Sequence, residues 1–249
     1  MFATLRRLNP FAMSSAKLDL LSKYSACDVS DALLKLDVPG AGFIPDIGPL
    51  KTGGTRVVAP ASTVHFAPKS TGSFPKPIGE EPNLREPADK NASKIAPGTP
   101  YADLVNPETI VVLSQPEGQA CAVVGGINGV RMEQLGAKGL LVSGRVRDLE
   151  TLRGLKIPVW SKGTSSVGAG GQTKAYAVGY PVDIGDVTVV SGDIVMLDPA
   201  ENSAVVVPKD KIDAVLELIP KLTEADEKCM ADVLAGGTVK EAFAKHRGQ

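Results

Sequence analysis

Arg147 and Asp148 form an adjacent pair of opposite charge, shortly after an apolar run at 138–143 that is typical of a strand. A guanidinium group binds a carboxylate through two parallel hydrogen bonds, and an aspartate binds hard cations such as Mg²⁺. The alternative is structural: Asp148 caps the short helix that DLETLRGL predicts, and Arg147 lies on the surface. The dipeptide alone leaves both interpretations open.

A second candidate is VVGGING at 123–129, where two glycines separate a predicted strand from a predicted helix. The first N–H groups of a helix have no intrahelical acceptor, and glycine lets a ligand approach the backbone closely. The turn formed by Gly125, Gly126, Ile127 and Asn128 can therefore receive a carboxylate or a phosphate. The alternative is a tight βα turn in which glycine serves only to allow a positive φ.

Both candidates follow strands of one predicted β-α-β-α-β unit. CAVV, KGLLVS and IPVWS are typical of strands, and GINGVRMEQLG, closed by Gly136, and DLETLRGL are typical of helices. This alternation predicts a parallel sheet, whose ligands bind at the carboxyl ends of the strands. We therefore expect the glycine turn and the Arg147–Asp148 pair to face one crevice. One carboxylate with water in the other positions suits Mg²⁺ or Mn²⁺ better than zinc.

The remaining sequence is expected to complete one compact α/β domain over 17–249, preceded by a disordered or targeting leader over 1–16. A proline-rich stretch at about 67–107 interrupts this domain and is predicted to be a long surface excursion. Within it, a short helix is predicted at 101–105.

Other elements follow from local patterns. Two short helices are predicted near the N-terminus, the second capped by Ser25 or Asp28. TRVVAPASTVHF is typical of a strand in which Pro60 indicates a bulge or a sheet edge. Short antiparallel strands and then C-terminal helices follow, with Gly236 and Gly237 separating the last two helical pieces.

The composition argues against several classes of protein. The net charge is −1 and aromatic residues make up 4% of the chain, so neither a basic surface nor stacking platforms for nucleic acid are expected. No apolar run reaches the roughly 20 residues that span a bilayer, so no membrane partner is expected. Three dispersed cysteines indicate a reducing compartment, and we expect a cytoplasmic location. Mitochondrial targeting by the arginine-containing N-terminus is the alternative.

The histidines and a second glycine-rich stretch do not indicate further sites. The chain has only two histidines, His65 and His246, which excludes a His-rich metal site, and His246 is expected to be a solvated tail residue. GAGGQT at 168–173 lacks the GK[ST] ending of a Walker phosphate loop and is predicted to form turns.

The stretch VVGGINGVRMEQLGAKGLLVSGRVRDLETLRGLKIPVWSKG resembles the RraA-like family, which includes 4-hydroxy-4-methyl-2-oxoglutarate aldolases. CDVSDAL, SGDIVMLD and AVVVP fit the same family in the same order. The resemblance implies a single α/β domain of the swivelling β/β/α type, assembled as a homotrimer or hexamer with sites at subunit interfaces. It also implies class II aldolase chemistry on small 2-keto acids, with decarboxylation of oxaloacetate through the same pyruvate enolate.

The resemblance assigns a role to each candidate residue. Asp148 matches the aspartate that binds the divalent cation, Mg²⁺ or Mn²⁺. Arg147 matches the arginine that grips the pyruvoyl substrate and neutralises enolate charge. The turn residues Gly125, Gly126, Ile127 and Asn128 match the amides that receive the substrate carboxylate.

One position departs from the family pattern, because many members carry an acidic residue where this chain has Gly126. A carboxylate from a neighbouring subunit could replace it, and Glu224 and Glu227 in the predicted C-terminal helices are the candidates. The alternative for both is a solvated helix face. The departure keeps a second hypothesis open, a non-catalytic binding or regulatory protein, because RraA itself binds an RNA-degrading enzyme.

Overall fold

The apolar runs of the sequence form the strands of one large sheet. In the computed structural model, which describes residues 14–69 and 78–248, helices lie near both ends of the described residues and in crossovers between parallel strands. The helices are α1 (Ser15–Leu21), α2 (Ala26–Lys35), α3 (Gly126–Gln134), α4 (Leu149–Arg153), α5 (Ile212–Leu234) and α6 (Val239–His246). The strands are β1 (Phe43–Ile44), β2 (Gly48–Pro49), β3 (Val57–Pro68), β4 (Ser93–Lys94), β5 (Ile110–Ser114), β6 (Ala122–Val124), β7 (Gly139–Val146), β8 (Val159–Thr164), β9 (Thr173–Val178), β10 (Val182–Ile184), β11 (Val187–Val189), β12 (Ile194–Asp198) and β13 (Ser203–Val207).

The main sheet is mixed and has 11 strands, in the order β1-β13-β12-β3-β5-β7-β8-β2, with β6 beside β7, β9 beside β3 and β4 beside β9. Strands β3, β5, β7 and β8 run parallel, whereas β12 and β13 are antiparallel to their neighbours. Strands β10 and β11 form a separate hairpin. The α/β class predicted from the sequence is confirmed.

The predicted β-α-β-α-β unit is present as β6-α3-β7-α4-β8. Both β6 and β8 pair with β7 in parallel. Successive residues of β7 alternate between two apolar layers: Leu140 and Val142 pack with α3 and α4, and Leu141 packs with Trp160 on the other side. Gly136 follows α3 with φ +89, in its predicted role as helix terminator.

A buried glutamine lets β6 continue the sheet where β5 ends. Strand β5 pairs with β7 as far as Ser143, and β6 pairs with its last residues. Gln115 bridges the break, because its Nε2 donates to Cys121 O at 2.7 Å and its Oε1 accepts from Arg145 N at 2.8 Å. Gly144 is required beside it, since a Cβ atom there would overlap the Gln115 amide.

The two N-terminal helices form as predicted. Ser25 is the N-cap of α2, and Asp28 completes a capping box by accepting from the Ser25 N–H. Both predicted caps therefore act together. Helix α2 buries Val29 and Leu33 in a layer that also contains the start of α5. The predicted leader lies outside the described residues except for its last three positions, and α1 begins at Ser15.

Two local predictions are wrong. Strand β3 is an interior strand, not an edge strand, and its bulge lies between His65 and Phe66 instead of at Pro60. Ala61 N–H donates to Asp193 O, on the side of β3 that faces β12, so the nitrogen of Pro60 faces the opposite side. On that side, pairing with β5 begins only at Ala61, and Pro60 is therefore tolerated without an N–H group. His246 is not a solvated tail residue, because α6 folds back on α5 and places its Nε2 2.8 Å from Asp232 Oδ2.

The proline-rich excursion is only partly a surface feature. Strand β3 extends into its beginning, as far as Pro68, and residues 70–77 are outside the described part of the chain. The predicted helix at 101–105 is a 3₁₀ turn, Tyr101–Leu104, and the side chains of Tyr101 and Val105 are buried in the apolar layer beneath α3. Among the described residues, no helix is long and apolar enough to cross a membrane.

Candidate functional site

Two βα turns come together at the carboxyl ends of β6 and β7. Gly125 joins β6 to α3, and Arg147 and Asp148 join β7 to α4. The N–H of Arg147 donates to Val124 O at 2.9 Å, which holds the second turn against the first. The crevice predicted between them is therefore present.

Asp148 is the N-cap residue of α4, but its side chain makes no cap hydrogen bond to that helix. Its backbone is left-handed, with φ 59 and ψ 50, a conformation that aspartate tolerates better than most residues. In this conformation Oδ2 accepts from the N–H of Gly126 at 2.9 Å. The carboxylate thus lies at the positive end of the neighbouring helix α3, where a negative charge is favoured.

The two glycines are needed for close approach, not for a positive φ. Gly125 has φ −122, and Gly126 is the first residue of α3. A Cβ atom on Gly125 would lie 2.9 Å from Asp148 Oδ2 and 3.2 Å from Arg147 Nε. A Cβ atom on Gly126 would lie 3.0 Å from Thr151 Cγ2. The alternative of a turn that needs positive φ is therefore wrong.

Arg147 and Asp148 are adjacent without forming a tight ion pair. Arg147 Nε lies 3.8 Å from Asp148 Oδ2, and the side chains are 44% and 45% exposed. The guanidinium lies against Gly168, where a Cβ atom would be 3.1 Å from Nη1. Because this contact leaves much of the guanidinium exposed, it remains able to bind an anion.

These groups line a cavity of about 210 Å³. The lining residues are Ala122, Val123, Gly125, Ile127, Asn128, Arg147, Asp148, Gly168 and Ala169. Five of the six predicted site residues are among them, and the sixth, Gly126, contributes its N–H to Asp148. The amides of Ile127 and Asn128, in the first turn of α3, have no intrahelical acceptor and are available to a ligand.

Sequence reasoning missed Gly168 and Ala169. They belong to the glycine-rich stretch that was predicted to form turns, and Ala169–Gly171 does form a 3₁₀ turn. This segment reaches the site because Ala122 N–H donates to Val167 O at 2.7 Å, next to a parallel bridge between Ala122 and Gly168. The run of glycines was the available signal, but the partner it contacts is distant in sequence.

The donors at the site fit a hydrated Mg²⁺ or Mn²⁺ and not a closed zinc site. Asp148 supplies one half-exposed carboxylate, and no group of three His, Cys, Asp or Glu side chains suited to a metal occurs in the described part of the chain. Mg²⁺ is commonly bound through one or two carboxylates and retains several waters. Structural zinc, in contrast, takes four protein ligands.

Neither of the two predicted substitute carboxylates reaches this cavity within the same chain. Glu224 and Glu227 lie exposed on α5, and Glu224 accepts from Lys228 Nζ at 2.7 Å. This hydrogen bond lowers the pKa of Glu224. Arg147 and Asp148 are the ionisable residues among those that line the cavity.

A second cavity, of about 230 Å³, lies at the other end of α4. Its floor includes Trp160 and Leu197, and Lys51, Arg153 and Lys156 are among its lining residues. It shares no residue with the cavity at Asp148 and offers no carboxylate to a cation.

The chain matches a known protein family over most of its length. The family profile described as RraA-like: Aldolase/RraA matches residues 26–207, which include both βα turns. The chain belongs to the RraA-like family. The match includes every strand from β1 to β13, whereas α1, α5 and α6 lie outside it.

Curated relatives of this RraA-like chain are distant. Protein DlpA of Legionella pneumophila is 23% identical over 227 residues, which cover 90% of this chain and 33% of DlpA. The chain thus spans about a third of the length of that relative. A protein of Halalkalibacterium halodurans named "Putative 4-hydroxy-4-methyl-2-oxoglutarate aldolase" is 26% identical over 157 residues, 61% of this chain and 72% of the relative.

Solved structures of similar fold include two bacterial proteins. An uncharacterized protein from Pseudomonas syringae pv. tomato has a TM-score of 0.68 at 23% identity, covering 92% of this chain and 98% of its own. RraAS2 of Streptomyces coelicolor, described as an unusual member of the RNase ES inhibitor RraA protein family, has a TM-score of 0.67 at 22% identity, covering 86% and 96%. At these identities the likeness establishes the fold alone.

Proposed function

We propose that this RraA-like chain is a divalent-cation-dependent carbon–carbon lyase that acts on small 2-keto acids and yields pyruvate. The substrates we propose are 4-hydroxy-4-methyl-2-oxoglutarate-like acids and oxaloacetate. The observation that carries the proposal is the convergence of Arg147, Asp148 and the first turn of α3 on one cavity. A cation-binding carboxylate, a guanidinium and helix N-terminal amides together suit a ligand that bears both a carboxylate and a keto group.

Each group has a distinct role in this proposal. The amides of Ile127 and Asn128 bind the carboxylate next to the keto group, with help from the positive end of α3. Arg147 stabilises the negative charge that develops on the keto oxygen as the enolate forms. Asp148 would hold Mg²⁺ or Mn²⁺, which when bound polarises the keto group as a Lewis acid.

The described residues support decarboxylation more directly than aldol cleavage. When oxaloacetate loses CO₂, the electrons of the broken carbon–carbon bond form the enolate of pyruvate, which then takes a proton from water. No base is needed. Aldol cleavage also requires a base to remove the proton of the 4-hydroxyl group. Gly126 offers no carboxylate for that step, and Thr151 packs against it.

For aldol cleavage, we propose that a neighbouring subunit in a homotrimer or hexamer supplies the base, through Glu224 or Glu227. The surface of α3 beside the cavity supports assembly there. Ile127, which lines the cavity, is 88% exposed and Val130 is 40% exposed, so two apolar side chains of α3 face solvent. A subunit packed on this surface would bury them.

The test is metal-dependent release of pyruvate, measured with oxaloacetate and with 4-hydroxy-4-methyl-2-oxoglutarate, in Mg²⁺ and in EDTA. Because divalent cations alone decarboxylate oxaloacetate, the blank contains Mg²⁺ and the Asp148→Asn protein. We expect faster pyruvate release by the wild type than by this blank, and loss of the excess in EDTA. If neither substrate yields pyruvate above the blank, the lyase proposal is wrong.

The second candidate function is a non-catalytic binding protein of the RraA type. The observation that favours it is Gly126, which removes an acidic group common in the family's enzymes. Sedimentation of the chain with and without the two substrates separates the ideas further, because aldol cleavage, as proposed, requires a self-assembled site. A monomer that releases no pyruvate would favour the binding function.

A further inference from the structure

Tyr101 connects the proline-rich excursion to the candidate site. It begins the 3₁₀ turn Tyr101–Leu104, and its side chain is only 6% exposed. Its ring packs edge-on against Phe66 of β3, with the centroids 5.1 Å apart and the planes at 76°. The ring is therefore fixed by the core, and the hydroxyl has a defined position.

The hydroxyl contacts the glycine turn from beneath. It donates to Val123 O at 2.9 Å, two residues before Gly125. Burial raises the pKa of the Tyr101 phenol above its usual range, and the Asn128 side chain beside it opposes the rise. The phenol is therefore a protonated hydrogen-bond donor at neutral pH. It lies between the end of β6 and the first turn of α3, the two segments that the glycine turn joins.

The same 3₁₀ turn contacts α3 at a second point. Asp103 Oδ1 accepts from Arg131 Nε at 2.6 Å, on the exposed side of the helix. The excursion thus contacts β6 through Tyr101 and α3 through Asp103, and the Tyr101 hydroxyl also lies beside the Asn128 side chain of α3. Rotation of α3 would break the contact between Asp103 and Arg131.

We propose that Tyr101 is a positioning residue for the carboxylate-binding turn, and that the excursion serves the site by supplying it. The inference rests on the proposed function. Tyr101 does not line the cavity and touches no substrate. Its hydroxyl fixes the distance between Val123 and Asn128, and so the direction of the Ile127 and Asn128 amides.

The test compares Tyr101→Phe with Phe66→Leu. The first removes only the hydroxyl and keeps the ring. The second loosens the ring packing and lowers stability but keeps the hydroxyl.

The amides hold the carboxylate in both the ground state and the transition state. We therefore expect Tyr101→Phe to raise KM for oxaloacetate, and Kd for oxalate with Mg²⁺, about three- to tenfold with kcat unchanged. Phe66→Leu should lower Tm and leave both constants near the wild-type values.

The outcomes separate this inference from the proposed function. A wild-type chain that binds oxalate, with a Tyr101→Phe variant of unchanged KM and Kd, overturns the positioning role and leaves the lyase proposal standing. A wild-type chain that neither binds oxalate nor releases pyruvate overturns both. If Tyr101→Phe does not fold, Asp103→Ala decides: a rise in KM of about twofold supports the inference, and an unchanged KM overturns it.

Discussion

A single carboxylate, Asp148, links the two βα turns of the site. Its left-handed backbone has a cost of about 1 kcal/mol, which the bond to Gly126 N–H and the positive end of α3 offset by a similar amount. Oδ2 accepts this hydrogen bond, and the half-exposed carboxylate can still accept a cation. Its position as the N-cap residue of α4 and its proposed cation-binding role are therefore compatible.

The first prediction separates the charge of Asp148 from its structural contact. Asp148→Asn keeps a side-chain oxygen for Gly126 N–H and a residue suited to the left-handed backbone, so unfolding free energy should change by less than about 1 kcal/mol. Asp148→Ala loses both and should cost about 1–2 kcal/mol. Both variants should lose Mn²⁺ binding, followed by electron paramagnetic resonance, and metal-dependent pyruvate release. Wild-type Mn²⁺ affinity in Asp148→Asn would remove this residue from the proposed metal site.

The second prediction concerns the shape of the Arg147 side chain. Arg147→Lys keeps the positive charge but cannot make two parallel hydrogen bonds, so kcat/KM for oxaloacetate should fall at least about tenfold. Arg145→Lys is the matched control. Arg145, near the end of β7, is exposed like Arg147, but it donates to Thr164 O and does not line the cavity. Its kcat/KM should match that of the wild type. If Arg147→Lys and Arg145→Lys have the same kcat/KM, Arg147 does not bind the substrate through two parallel hydrogen bonds.

At the scale of elements, the site depends on how closely α3 and α4 pack. A Cβ atom on Gly126 would press on Thr151, and one on Gly129 would meet Leu152, which is buried. Glycine is unfavourable inside a helix, so these positions give up intrinsic helix stability for a short distance between the helices. That short distance brings Asp148 to the N-terminus of α3.

The third prediction follows from this packing. Gly126→Asp, which restores the common family acid, should lower the unfolding free energy by about 1–3 kcal/mol, because the new Cβ crowds Thr151 and the new charge faces Asp148. Thr151→Ala removes the nearest atom, Cγ2, and should recover part of the loss. A double-mutant cycle measured by urea unfolding gives the coupling. Purely additive effects of the two substitutions would show that Thr151 does not restrict position 126.

The sequence predicts the elements of this site better than the contacts between them. The strands of the β6–β8 unit and the ends of α3 follow from periodicity and glycine placement, and the Arg147–Asp148 pair follows from its position after a strand. The contact of Gly168 with Arg147 depends on pairing between residues distant in the chain. The position of Tyr101 could not be predicted, because the proline-rich composition of the excursion indicates a solvent-exposed segment. Packing across the sheet, which no local pattern encodes, determines both.

At the scale of the whole molecule, one buried carboxylate connects the N-terminal helices to the sheet. Asp198, at the end of β12, accepts from Ala26 N at 2.9 Å and from Arg56 Nε at 2.8 Å. Arg56 in turn donates to Ser22 O between α1 and α2. A single ion pair thus fixes the start of α2, the segment before β3 and the end of β12 together, far along the chain from the candidate site.

The fourth prediction is the pH dependence of this connection. Burial alone would raise the pKa of Asp198, but the Ala26 N–H and the Arg56 guanidinium outweigh it and hold the pKa below its usual range. A carboxyl group with a lowered pKa in the folded state stabilises the fold above its unfolded pKa of about 4, and this stability is lost as the pH falls further. Asp198→Asn should therefore lower the free energy of unfolding by about 2–3 kcal/mol at pH 7, since it breaks a largely buried pair, and by progressively less below about pH 4.

The control is Asp183→Asn, which breaks an exposed pair with Arg85 and should lower the free energy of unfolding by less than about 1 kcal/mol. Urea unfolding of the three proteins at pH 7 and pH 3 measures these differences. A wild-type advantage over Asp198→Asn that is equal at both pH values would show that ionisation of Asp198 does not stabilise the fold.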